Sequence, residues 1–143
     1  MMKNEMCLEF DSISANEAFA RVTVAAFMTQ MNPSMEEVAD VKTAVSEAVT
    51  NAIIHGYEGE VHKIVIRGRI DGEWLELSVE DRGVGIADVE KAMEPLYTTR
   101  PELERSGMGF LFMEAFMDEV KVESEPGKGT AVMIKKRIGQ RGE

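Results

Sequence analysis

The chain has 143 residues, 44% of them hydrophobic and 29% charged, a balance that fits one globular domain spanning 1-143 and lies far from that of a disordered segment. Its 26 acidic against 16 basic residues leave a formal charge of −10, which opposes DNA, RNA and anionic lipid headgroups, because those partners need a basic surface to displace counterions. Cys7 is the only cysteine, so there is no internal disulfide and a reducing cytoplasm fits; the opening Met1-Met2-Lys3-Asn4-Glu5 has no apolar h-region, and no run reaches the roughly 18 apolar residues of a membrane span.

In chain order, Met6 to Phe10 alternates as a short strand, and Ser14 with Glu17 has the spacing of a capping box at the head of a helix running to about Met31. That helix carries two apolar stripes, Phe19, Val22 and Ala26 on one face and Val24, Phe27, Met28 and Met31 on another. One core does not bury both, so one face is expected to meet another subunit. A second capping box, Ser34 with Glu37, opens a helix with apolar residues Val38, Val41, Ala44, Val45, Ala48, Val49, Ala52 and Ile53 at helical spacing, and Gly56 is expected to cap its end. Lys63 to Ile70 and Glu73 to Glu80 read as a hairpin about Asp71-Gly72. Asp81 to Gly85 reads as a glycine loop, Asp88 to about Met93 as a short helix, and Tyr97 to Gly107 as a polar segment able to act as a lid. Met108 to Met117 regains helical spacing, and Val120 to Glu125 with Thr130 to Arg137 closes the chain as a second hairpin. This order predicts an α/β sandwich, with helices on one face of a mixed sheet.

Four segments carry chemistry. Glu47, Asn51 and His55 stand at i, i+4 and i+8, a polar line on an apolar helix; an ordinary solvated face looks the same, but a carboxylate beside an amide oxygen also suits a hard cation and a proton acceptor. Asp81-Arg82-Gly83-Val84-Gly85-Ile86 leaves a strand directly, and its glycines permit close backbone approach. It lacks the third glycine of a dinucleotide fingerprint, position 88 being Asp88. Arg105-Ser106-Gly107-Met108-Gly109 stands at a helix start, where free N–H groups attract anions. Gly127-Lys128-Gly129-Thr130 resembles a Walker motif only superficially, since Val122 stands where the earlier glycine is needed.

Taken together, Glu47-Ala48-Val49-Thr50-Asn51-Ala52, Asp81 to Gly85, Gly107 to Gly109 and Gly129-Thr130 resemble the four boxes of the GHKL superfamily of ATP-binding proteins, E-x-x-x-N-A, D-x-G-x-G, G-x-G before a helix and G-T in the last hairpin. The likeness covers almost the whole chain. Within the superfamily, Ser46-Glu47-Ala48 and Asn51-Ala52-Ile53-Ile54-His55-Gly56-Tyr57 are most similar to serine kinases that act as anti-sigma factors. The resemblance implies the Bergerat-type ATP-binding fold, ATP and Mg2+ as cofactors, and a role in sporulation control. Glu47 is then the base, Asn51 a magnesium ligand and Asp81 the partner of the adenine amino group. Gly83, Gly85 and Thr130 line the adenine end, and Gly107 and Gly109 offer backbone N–H groups to the phosphates; Arg105, by its location more than by the motif, is a candidate triphosphate contact. His55 also belongs to the pattern, which assigns it no task, and a structural role, hydrogen-bonded near the helix end, weighs equally with a functional one.

Among superfamily members, histidine kinases need a phospho-accepting histidine on a separate helix, whereas this sequence has only His55 and His62; gyrase-type relatives append a further domain. The expected substrate is therefore a protein in trans, an anti-anti-sigma protein, with a sigma factor as the sequestered partner and a homodimer through the first helix, where Arg21 is a candidate partner contact. The alternative is an ATP-gated binding module that transfers no phosphate, for which Glu47 has no use.

Overall fold

The computed structural model describes residues 2–86 and 109–139. The expected short helix at 88–93 and the polar segment 97–107 fall outside them.

Strand β1, Lys3–Asp11, turns Met6, Leu8 and Phe10 inward and is followed by α1, Ala15–Met28, with a 3-10 turn at Thr29–Met31. Asn32 ends that turn at φ 53°, a left-handed position in which an Asn side chain is tolerated. Helix α2, Met35–Asn51, starts at a complete capping box: Ser34 Oγ accepts the Glu37 N–H at 3.0 Å and Glu37 Oε1 accepts the Ser34 N–H at 2.8 Å. The box expected at Ser14 does not form. Ser14 itself has helical backbone angles, φ −56° and ψ −34°, and Glu17 instead accepts a hydrogen bond from Thr50 Oγ1 on α2 at 2.8 Å and faces Arg21 Nη1 at 3.5 Å. Arg21 also reaches Ser46 Oγ at 3.3 Å, so α1 is tied to α2 by side chains that a local reading assigned to a cap and to partner contact.

The remaining elements are β2 (Lys63–Asp71), β3 (Trp74–Asp81), α3 (Gly109–Phe116), β4 (Glu119–Glu125) and β5 (Gly129–Arg137). The sheet order is β1-β2-β3-β5-β4, and every adjacent pair is antiparallel, in place of the mixed sheet expected. One crossover helix returns a chain for a parallel strand; here α1 and α2 carry it away and back, so β2 starts beside the end of β1, with Asp11 opposite Lys63.

Among the described residues, the three helices pack on one sheet face, α2 between α1 and α3. Val41, Ala44, Val45, Ala48 and Val49 of α2 are buried against Ile64, Ile66, Leu75, Leu77, Val79, Val132 and Ile134 of the sheet, the alternate residues of three strands. Small residues on α2 let the helix sit close to the sheet, and Lys136 Nζ fixes the end of α3 by donating to the Phe116 carbonyl at 2.7 Å. On α1 the core takes Ala20, Val24 and Met28, while Phe19 and Val22 remain 50% and 59% exposed; the two stripes are separated as their spacing predicted. Among the described residues, no helix is long and apolar enough to cross a membrane.

Candidate functional site

The site is built where α2 runs out. Its last turn, Ala52–Gly56, widens into a π-turn, with the Tyr57 N–H donating to the Ala52 carbonyl five residues back at 2.9 Å. Gly56 is the last residue of that turn and not the cap expected, a place taken by Tyr57; positive φ comes later, at Glu58 (52°) and Gly59 (86°). Gly56 is needed for space. A β-carbon there would lie 2.8 Å from Asp81 Cγ and Oδ1, so the end of α2 and the carboxylate at the end of β3 are in direct contact.

The glycines of the following loop serve the same close packing. A β-carbon on Gly83 would fall 1.9 Å from the Gly56 carbonyl oxygen, and one on Gly85 2.2 Å from that of Glu125. Hydrogen bonds run along these approaches: Val84 N–H to Gly56 O at 2.8 Å, Gly127 N–H to Val84 O at 2.7 Å. The loop is therefore clamped between the end of α2 and the β4–β5 turn. Tyr57 adds a bridge that sequence reading passed over, its hydroxyl accepting the Arg82 N–H at 2.8 Å and donating to the Lys63 carbonyl.

Asp81 stands opposite Thr130 in the β3–β5 register, so the two side chains are neighbours on the helix-covered face. Burial pushes the Asp81 carboxyl up to about 6, against the pull of the Gly83 and Thr130 backbone N–H groups; Oδ1 accepts the Gly83 N–H at 2.9 Å. Beside Thr130, Ser124 Oγ makes three contacts: the Ile86 N–H at 2.7 Å, the Gly129 carbonyl at 3.0 Å and Thr130 Oγ1 at 2.8 Å. Ser124 was not singled out from sequence, although a signal existed. It is the polar member of the inward phase Val120, Val122, Ser124.

Of the expected site residues, Asp81, Gly83, Gly85 and Thr130 come together at this end. Glu47 and Asn51 lie on α2, partly exposed, with His55 in the π-turn beyond them. At the helical rise, Glu47 is roughly 13 Å along the axis from Gly56. Gly109 begins α3. Arg105 and Gly107 lie outside the described residues.

Residues 12–136 match the family model described as histidine kinase-like ATPase domain. The chain is 60% identical over 138 residues to a protein of Halalkalibacterium halodurans named anti-sigma F factor, covering 96% of this chain and 94% of that one. A protein of the same name from Clostridium acetobutylicum is 58% identical, with 96% of each chain covered. The chain belongs to the anti-sigma F factor family.

A chain of this family thus carries an ATP-binding fold of the histidine kinase-like class. The fold extends to a distant structure, that of the RsbU and RsbW domains of Rv1364c from Mycobacterium tuberculosis, which superposes with a TM-score of 0.68 at 20% identity over 94% of this chain. The present chain spans about a third of that one, 32%.

Proposed function

We propose that the chain is an ATP-dependent protein serine kinase that phosphorylates an anti-anti-sigma protein and holds a sigma factor, in the control of sporulation. The observation that supports this reading is the contact of Asp81 with Gly56 at the end of α2, because it brings a carboxylate, a suitable acceptor for an adenine amino group, to one end of the same helix that bears Asn51 and Glu47. A nucleotide whose exocyclic amino group donates to Asp81 would extend its phosphates back along α2, towards Asn51 and then Glu47. Gly109 at the head of α3, with Gly107 and Arg105 before it, would supply N–H groups and charge to the phosphates.

The donor set fits Mg2+. Among the described residues there is no cluster of three or more His, Cys, Asp or Glu able to hold a metal, and Mg2+ in phosphoryl-transfer sites takes one or two protein oxygens beside phosphate and water. Asn51 would hold it through its amide oxygen, and the bound ion would offset charge on the phosphates. Glu47 acts on the substrate. The serine oxygen bonds to the γ-phosphorus, the bond to the β–γ bridging oxygen breaks, ADP leaves, and the serine proton passes to the Glu47 carboxylate. Gly83, Gly85 and Thr130 line the base.

The exposed Phe19 and Val22 on α1 support a homodimer through that helix, with sigma bound nearby. The protein would act in the cytoplasm as one domain over 1-143. Its test is Glu47→Gln, assayed for label transfer from γ-labelled ATP to the anti-anti-sigma protein and for ATP affinity. Lost transfer with near-normal affinity is expected; normal transfer by the variant would remove Glu47 as the base, and absence of transfer by the unmodified protein would leave an ATP-gated binding module.

A further inference from the structure

We infer that Ser124 is a positioning residue for the nucleobase, acting by fixing the hydroxyl of Thr130 as a hydrogen-bond acceptor. The inference rests on the nucleotide reading above and concerns how that site tells one base from another.

A serine hydroxyl has one O–H and two lone pairs. Ser124 Oγ has three partners within 3.0 Å, and two leave no choice of direction: the Ile86 amide at 2.7 Å only donates, and the Gly129 carbonyl at 3.0 Å only accepts. Ser124 therefore receives from Ile86 and gives its single proton to Gly129. The third contact, with Thr130 Oγ1 at 2.8 Å, is then satisfied only when Thr130 donates and Ser124 accepts with its second lone pair. The reverse direction would leave two acceptor oxygens facing each other at 3.0 Å.

This arrangement consumes the only proton of Thr130. Towards a ligand, Thr130 Oγ1 presents lone pairs alone, and its register partner Asp81, when ionised, likewise only accepts. Both side-chain groups at this end of β3 and β5 are then acceptors. The ligand group that suits them is an exocyclic amino group, which has two N–H donors to direct at Asp81 and, directly or through water, at Thr130. A 6-oxo group in the same place faces acceptors on both sides. Removing the Ser124 hydroxyl frees the Thr130 proton to turn towards the base and relieves one of the two acceptor clashes that a 6-oxo purine meets.

The test is calorimetric titration of ATP and ITP into the full chain and its variants, with thermal unfolding as a check on folding. The unmodified protein is expected to prefer ATP. Ser124→Ala should reduce the ATP-to-ITP preference by about 3- to 10-fold, the range for one hydrogen bond; Ser124→Thr, which keeps the hydroxyl, should preserve it. Ser124→Cys retains volume with a weak donor and acceptor, and it should shift the ratio in the direction of Ala even where Ala folds poorly. In a Thr130→Val background, Ser124→Ala should add no further change. An unchanged ratio in both the Ala and Cys variants, or an equal change without Thr130, overturns the inference and leaves the base site standing. No preference for ATP in the unmodified protein overturns the base site and the inference with it.

Discussion

The carboxylate of Asp81 occupies the space that a side chain at Gly56 would need, 2.8 Å from the position of its β-carbon. A methyl group at Gly56 has to move that carboxylate, which is the far end of a side chain and can turn aside. Gly56→Ala is expected to fold and to weaken ATP by roughly 10-fold or more, the scale of a hydrogen bond to a charged group. Gly83→Ala meets backbone, a carbonyl oxygen 1.9 Å away, and should lower the unfolding midpoint as well. Calorimetry and thermal unfolding of the two variants separate the cases; equal stability would contradict the packing described.

The raised Asp81 carboxyl gives two opposite pH dependences. Its value in the folded protein, about 6, lies above the unfolded value near 3.9, so the folded state binds the proton more tightly. The stabilisation from this group is fully present below about pH 4 and is lost as the pH rises through about 6. On the proposed contact between ionised Asp81 and an adenine amino group, ATP binding should run the other way and weaken as the pH falls below about 6. Comparing each profile with that of Asp81→Asn isolates the group: both trends should vanish in the variant.

The two serines at helix starts make a matched pair. Ser34→Ala removes a side-chain acceptor from the Glu37 N–H and should cost about 1 kcal/mol in urea unfolding. Ser14→Ala removes no such bond and should fall within about 0.5 kcal/mol of the parent.

Tyr57→Phe deletes a hydroxyl that serves the Arg82 N–H and the Lys63 carbonyl. Leaving these groups without their partner should cost about 1 to 3 kcal/mol. Amide exchange at Arg82 should quicken more than exchange in β2. Uniform quickening would show that the hydroxyl stabilises the whole sheet and has no particular hold on the loop.

Hydrophobic period carried most of the architecture: the strands at Lys63–Asp71 and Trp74–Asp81 and the helix at Met35–Asn51 were readable within a residue or two. Direction was less readable, since pairing depends on how many helices intervene between strands, and the mixed sheet gave way to an antiparallel one. Caps misled where a distant residue competed, as Thr50 does for Glu17. In the site, the box residues were visible as motifs, but the reason for their glycines was not. A sequence does not show that Gly83 lies on Gly56 or Gly85 on Glu125, because those approaches join segments brought together only by the fold. Ser124 was hidden for the same reason.

The strand order β1-β2-β3-β5-β4 seats β5 between β3 and β4. During synthesis, then, residues up to Asp81 can emerge and pair while the slot beside β3 stays empty, and Thr130 enters only after nearly the whole described chain has left the ribosome. The base site proposed above is complete only once β5 has paired with β3, so on that proposal nucleotide would not act as a template for the early stages of folding.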